Sequence, residues 1–258
     1  HWGSKVLTVV KRAEGSYEVR LASGETFTTT LLIGADGAWS KVRPLLSDAQ
    51  PLYSGISFIE TSLLDAEARA TLVGRGSMFA LSDAKGLLTH CDGDGRITVY
   101  IALTAPEHWM TASGIDFHDT EAARLQLLNH FADWDDQLRA LIAESEAEFL
   151  PRGIYALPVG HRWERIPGVT LLGDAAHLMS PFAGEGANLA MLDATELAEA
   201  LLKHPDDVET ALAAYEVALF PRSEAAAVES NHNLSTSFRP DAPQGMLDLM
   251  AQHDHQER

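Results

Sequence analysis

The sequence predicts a mixed α/β fold (α+β in composition) in which one domain is interrupted by a second, and three observations carry that reading. Residues 5 to 34 alternate as strands, a second set of short strands fills 53 to 106, and an isolated apolar strand, Val169 to Leu172, follows only after a helical stretch. An apolar run without alternation is covered on both faces and needs strand neighbours of the parallel type. The nearest candidate is Leu31 to Ile33. The chain therefore leaves one domain, builds another and returns.

Taken in order, Tyr17, Val19 and Leu21 alternate with polar neighbours, Ala22-Ser23-Gly24-Glu25 supplies a turn, and Phe27 leads through threonines to Leu31-Leu32-Ile33. This is a β-meander ending in a buried strand. Ile56 to Thr61 and Arg96 to Leu103 are further strands, the second placing Ile97, Val99, Ile101 and Leu103 on one face. Asp92-Gly93-Asp94-Gly95 is a hairpin turn signal, since Gly and Asp tolerate positive φ. Leu127, Phe131, Trp134, Leu138 and Ile142 lie at helical spacing, with Asp119 or Thr120 placed to cap the start. Ala190, Ala194, Leu197 and Leu201 form a second helical stripe that stops before Pro205; Val208, Leu212, Tyr215 and Leu219 form a third. The last twenty or so residues are polar, hold Pro240 and Pro243, and read as a loosely held helix or tail. The expected domains are 1–47 with 159–204, an inserted sheet domain at 48–158, and C-terminal helices with a tail at 205–258.

The chain has 258 residues, enough for a real core, and a net charge of −18 from 19 basic and 37 acidic residues. Such a field disfavours nucleic acid and anionic membranes, and no apolar run is long enough to span a bilayer. One cysteine, Cys91, excludes an internal disulfide and suits a reducing cytoplasm.

The stretch VTLLGDAAHLMSPFAGEGANLA runs from a buried strand into Asp174, a Pro/Gly-punctuated loop and a helix. Ligands of such sheets bind beyond the strand's carboxyl end, where Asp174 sits. Asp174 with His177 gives too few ligands for a metal, so an acceptor for a hydroxyl-rich ligand is the better match. Pro181 fixes the loop entry, Gly184 and Gly186 allow close backbone approach, and the helix starting near Gly186 aims its positive end at the same place. LLIGADGAWSKVR, from Leu31 to Arg43, repeats the grammar with Gly34, Asp36, Gly37, Ser40 and Arg43. Asp174 could otherwise cap a turn while the glycines solve steric problems, but two strand-to-aspartate junctions in one chain favour a ligand site.

GADGAWSKVR resembles the DG motif, and GDAAHLMSPFAGEGANLAMLDA the flavin-ribityl GD motif, of the single-component (class A) FAD-dependent monooxygenases typified by para-hydroxybenzoate hydroxylase. The second stretch looks most similar to the tetracycline-inactivating members. The resemblance implies a partial FAD-binding Rossmann-like domain interrupted by a substrate-binding sheet domain. It implies that Asp174 accepts a hydrogen bond from a ribityl hydroxyl of FAD, with Gly173 leaving room. Pro181 to Gly186 would line the flavin ring, and the backbone of Gly186, Ala187 and Asn188 would face its pyrimidine edge. Asp36, Gly37 and Arg43 would belong to the structure linking FAD and nicotinamide recognition.

It further implies that NADPH or NADH reduces FAD and that O₂ supplies an oxygen atom to a hydrophobic, aromatic or polyketide-like small molecule, an antibiotic such as tetracycline included. The chemistry is largely the cofactor's, so no catalytic side chain is expected. Phe182 would sit at the flavin–substrate boundary or pack in the core. Phe58 and Glu60 lie on a strand of the expected substrate sheet, Glu60 pointing at substrate or to solvent. The family's opening GxGxxG is missing here, since Gly74-Arg75-Gly76 lacks the third glycine and opens no helix. The resemblance thus covers the last two-thirds of a member, and the phosphates are left to a segment outside these residues. A same-fold reductase or halogenase, or a truncated ligand-binding relative without turnover, are the alternatives. His90 and Cys91 read as surface or sheet packing, His161-Arg162-Trp163 as a solvated connection rather than the support of a domain junction, and His253 and His255 as exposed.

Overall fold

The computed structural model describes residues 1–64, 70–74 and 76–256. Arg75 lies outside them, and nothing is described of the side chains of His253 and His255. The chain divides into two compact units, His1–Leu52 with Tyr155–His232, and Tyr53–Ile154 with Asn233–Arg258. The first unit is thus built from two separated segments, with the C-terminal helices shared between the units.

In the first unit β1 (Val6–Lys11), β2 (Tyr17–Leu21) and β3 (Thr26–Thr29) form an antiparallel meander in which Val19 pairs with Val9 and Phe27. The turn at 22–25 closes with Leu21 N–H donating to the Glu25 carbonyl at 2.9 Å, Gly24 supplying φ 89°. β4 (Leu32–Gly34) leaves that sheet and pairs in parallel with a strand more than a hundred positions later: Leu32, Ile33 and Gly34 face Val169, Thr170 and Leu171. The partnership expected from two apolar runs without alternation is therefore the one formed.

The second unit begins with β5 (Leu52–Leu63) and α1 (Ala70–Val73), followed by β6 (Ser77–Ser82), β7 (Lys85–Cys91) and β8 (Ile97–Thr104). With β9 (Leu150–Ala156) these strands make a five-stranded sheet in the order β6-β7-β8-β5-β9. Asp92 and Arg96 close the β7–β8 hairpin at 2.8 Å, with Gly95 at φ 86°. Ile97, Val99, Ile101 and Leu103 are buried, packing with Ile59, Leu63 and Leu87 against Leu127, Phe131, Leu141 and Ile142.

Of those last residues, Leu127 sits on one helix, Leu141 and Ile142 sit on another, and Phe131 caps the end of the first, rather than all lying on the continuous helix their spacing suggests. After α2 (Trp109–Ala112), α3 runs Thr120–His130 and α4 runs Asp136–Ala143. Asp119 caps the first, accepting from Ala122 N–H. Asp135 caps the second through Gln137 N–H, and that competing side-chain acceptor restarts the helix. Phe131 and Trp134 still meet edge to face at 4.8 Å, so the apolar spacing survives the break.

The return segment carries β10 (Val169–Leu171), the single-turn α5 (Asp174–His177), α6 (Gly186–Lys203) and the long α7 (Val208–Ser237), which continues through Pro221. α8 (Gln244–Gln256) ends the described chain. Leu197, Leu212, Tyr215 and Leu219 pack with Tyr17, Val42, Trp163, Val169 and Leu171. The buried face of α6 is Leu189, Asp193 and Leu197, while Ala194 of the expected stripe is exposed. His161-Arg162-Trp163 is not a solvated connection: Trp163 is buried and donates through Nε1 to Glu216 at 3.0 Å.

Gly34 is fixed by packing. A Cβ there would lie 2.6 Å from Leu171 Cδ2 and 2.8 Å from Val42 Cβ. Gly34→Ala should destabilise the protein by about 1–3 kcal/mol through overpacking. A denaturant titration checks this; an unchanged midpoint would mean that the β4–β10 contact has slack.

Candidate functional site

Both strand-to-aspartate junctions come together at the carboxyl ends of β4 and β10. A cavity of about 530 Å³ opens there, lined by Ala35 and Gly37 from the first junction and by Leu172, Gly173, Asp174, Met179, Ser180, Pro181, Gly184, Gly186, Ala187 and Ala190 from the second. That volume lies within the ~300–1,000 Å³ usual for ligand pockets.

Gly173 turns the chain out of β10 at φ 58°, ψ −145°, a conformation available to glycine. A Cβ there would also crowd Ala190 Cβ at 3.1 Å. The turn delivers Asp174 to the cavity, exposed, with a carboxylate that accepts no hydrogen bond among the described residues. A partnerless carboxylate on a cavity wall is an open acceptor.

The loop beyond it begins as a single 3₁₀ turn, Pro181–Ala183, ended by Gly184 at φ 69°. Glu185 precedes α6 without capping it through its side chain, so the first N–H groups of an 18-residue helix remain open. A Cβ on Gly184 or Gly186 would meet nothing within 4 Å, so both glycines border free space. The macrodipole adds partial positive charge at this wall. One wall thus accepts hydrogen bonds while the other donates them, with no lysine among the lining residues.

Arg43 is 2% exposed and does not reach the cavity. Its Nε donates to the Ala175 carbonyl at 2.8 Å, and its Nη2 to the carbonyls of Ala38 at 2.8 Å and Asp174 at 3.1 Å. Burial lowers its pKa from the ordinary value, while the Asp36 and Asp174 carboxylates work to raise it. Arg43 therefore ties the first junction to the second from beneath. Asp36 accepts from Lys41 N–H at 2.6 Å and shapes its own loop, and Gly37 reaches the cavity with φ 78°. Asn188 lies exposed on the first turn of α6, and Phe182 is half-buried on the 3₁₀ turn; neither lines the cavity.

Known proteins resemble this chain in sequence and fold. A family described as FAD binding domain matches residues 8–229. Monooxygenase penA of Penicillium thymicola is 30% identical, over 92% of this chain and 68% of penA. The chain belongs to the FAD-dependent monooxygenase family. The structure of a variant of HpxO from Klebsiella pneumoniae, complexed with FAD, superposes with a TM-score of 0.79 at 24% identity, over 97% of this chain and 63% of that one. Tetracycline destructase Tet(51) gives 0.65 at 20%, over 96% and 65%. The chain spans 63–68% of the length of these three proteins.

In this member of the family, Phe58 and Glu60 lie in the second unit, on the β5 face turned away from the helices. Phe58 is buried and lies 5.7 Å from the Tyr100 ring. Glu60, opposite Tyr100 in the register, is half-buried and ion-paired with Arg152 at 3.3 Å, not a free solvent-facing carboxylate. Burial raises the Tyr100 pKa, and Glu60 adds to the effect.

Sequence reasoning missed the groups beneath the cavity floor. Asp193, fully buried, accepts from Gly173 N–H at 2.9 Å, from His177 Nε2 at 2.7 Å and from Arg222 at 2.9 Å. A carboxylate midway between Leu189 and Leu197 on an apolar face was the available signal. Ser180 and Ser230, both buried, exchange hydrogen bonds that hold the Pro181 loop to α7. His161 reaches the Ala176 carbonyl through Nδ1 at 2.6 Å, and burial lowers its pKa. Among the described residues no three His, Cys, Asp or Glu side chains converge as a metal site, and no helix is long and apolar enough to cross a membrane.

Proposed function

We propose that the chain forms the flavin-ring half of an FAD- and NAD(P)H-dependent monooxygenase that hydroxylates a hydrophobic aromatic or polyketide-like small molecule. The observation that carries this is the cavity wall pairing the open Asp174 carboxylate with the uncapped start of α6. These suit, in that order, a polyhydroxylated chain and a ring that becomes electron-rich on reduction. FAD, reduced by NADPH or NADH, supplies the chemistry by which one oxygen atom of O₂ reaches the substrate.

The protein's part is to bind, orient and stabilise charge. Asp174 accepts a ribityl hydroxyl, and Gly173 gives the turn its only comfortable backbone. The loop from Pro181 to Gly186 lies against the ring, its glycines leaving space where side chains would stand. The N–H groups of Gly186, Ala187 and Asn188 meet the pyrimidine edge, where preorganised dipoles stabilise negative charge without reorganising. Asp36, Gly37 and Arg43 hold the facing loop. Phe58 and Phe182 offer apolar contact to the substrate, and Glu60 with Arg152 offers polar contact. The absence of lysine from the cavity lining favours hydroxylation over halogenation.

The test is the purified full-length protein, assayed by visible absorption and by NADPH or NADH oxidation coupled to O₂ uptake. The substrate panel comprises phenols, polyketides and tetracyclines. A yellow protein whose nicotinamide oxidation one substrate class stimulates is expected. A colourless protein that takes up no added FAD would overturn the proposal.

A further inference from the structure

We infer that Asp193 is the positioning residue of the flavin site, holding the Gly173–Asp174 turn in the one conformation that presents the Asp174 carboxylate to the cavity; this rests on the proposal that the cavity holds FAD. Asp193 sits midway along α6, fully buried between Leu189 and Leu197. A charge in such a place is costly unless donors surround it. Burial pushes its pKa up, but bonds from His177, Gly173 N–H and Arg222 prevail and leave it below the ordinary value.

The arrangement of those donors gives the carboxylate its role. Oδ2 takes Gly173 N–H at 2.9 Å and His177 Nε2 at 2.7 Å, so one oxygen grips the turn at its start and the single-turn helix at its end. Oδ1 takes Arg222 Nη2 at 2.9 Å, and Arg222 Nη1 is held in turn by both oxygens of Glu196 at 2.7 Å. His177 Nδ1 is buried without a partner, so the imidazole's hydrogen bonding is spent on Asp193. From the other side, Arg43 holds the carbonyls of Asp174 and Ala175. The turn is clamped by its N–H from α6 and by its carbonyls from the first junction. Asp174, free of partners, is left facing the cavity.

A buried carboxylate could equally be a stability hub, and the same unit contains one for comparison. Glu216, 2% exposed, accepts from Trp163 Nε1, Arg165 Nη1 and Thr170 Oγ1 at 2.8–3.0 Å, and none of these residues lines the cavity. Loss of either carboxylate's charge should lower the melting temperature. Only Asp193 should govern the flavin.

The experiment compares Asp193→Asn with Glu216→Gln in the full-length protein. It measures FAD affinity by fluorescence titration, the visible circular dichroism of the bound flavin, and the melting temperature of the apo form. Asp193→Asn should weaken FAD binding about tenfold or more, because it removes the charge and turns one oxygen into an NH2 that opposes either Gly173 N–H and His177 or Arg222, and should alter the dichroism. Glu216→Gln should leave affinity within about twofold, as a change remote from the ligand does. If Asp193→Asn does not fold, His177→Ala and His177→Gln replace it: Ala should weaken FAD binding, and Gln, which keeps an amide donor in place of Nε2, should restore it. Equal FAD affinity in Asp193→Asn and wild type, or in both His177 variants and wild type, would overturn the inference alone. A wild-type protein that takes up no FAD would overturn the underlying proposal and this inference with it.

Discussion

Replacing Asp174 with alanine should weaken FAD binding about 10- to 100-fold, the worth of a hydrogen bond to a charged acceptor. The apo protein should keep its stability within about 1 kcal/mol, because that carboxylate accepts no hydrogen bond among the described residues and gives only a Coulombic attraction to the Arg43 guanidinium. The separation of the two effects is the content of the prediction. Asp193 and Asp36 are held by donors, and removing them strands a partner. Asp174 strands nothing in the apo protein. Its cost appears only when the ligand is present, so Asp174→Asn, which keeps an acceptor but loses the charge, should fall between alanine and wild type. Flavin titration and apo melting curves check both halves; equal FAD affinity in wild type and Asp174→Ala would remove Asp174 from the site.

Arg43→Met should have the opposite signature, a stability loss of about 3–5 kcal/mol from three bonds to a charged donor. For a chain of this size that is roughly 10 °C in melting temperature. The guanidinium reaches the carbonyls of Ala38, Asp174 and Ala175 at 2.8–3.1 Å, and methionine of similar length would leave all three without that donor, the Ala175 carbonyl buried and the other two partly so. Arg43→Lys should recover only part of the loss, since one ammonium cannot reproduce the planar fork that serves both segments. Differential scanning calorimetry of the three proteins is the check, and a Met variant that melts with the wild type would mean that water replaces the guanidinium.

These contrasts also mark what the sequence made legible. The parallel pairing of Leu32–Gly34 with Val169–Leu171 could be read because both segments are apolar without alternation; β10 is buried on both faces, whereas Ile33 at the centre of β4 stays exposed, so the apolar run marked the pairing better than it marked the burial. The cavity-lining loop could be read because glycine and proline announce backbone conformation locally, and Gly184 and Gly173 do adopt positive φ. The restart between α3 and α4 was hidden, because Asp135 competes for the backbone within an apolar spacing that continues unbroken. The roles of Arg43 and Asp193 were hidden for another reason. Their partners lie 131 and 132 positions away for Arg43, and 16, 20 and 29 for Asp193, and no local pattern encodes a bond across such separations. Within the loop that carries Asp36 and Gly37, Arg43 spends its donors on the protein's own backbone.

The parallel pair that joins residues 32–34 to 169–171 also sets an order of events during synthesis. Every strand of the five-stranded sheet has been made by Ala156, before Val169 exists. At elongation rates of about 5–20 residues per second, the first junction waits on the order of ten seconds for its counterpart. Until then Gly34 lacks its Leu171 neighbour and Arg43 has no carbonyl of Asp174 or Ala175 to hold. Long-range contacts of this kind must meet the entropy of closing a large loop before they return any stabilisation. A nascent chain therefore completes the strands of its second unit first, and acquires the cavity's lining only once the return segment has been made as far as Ala190.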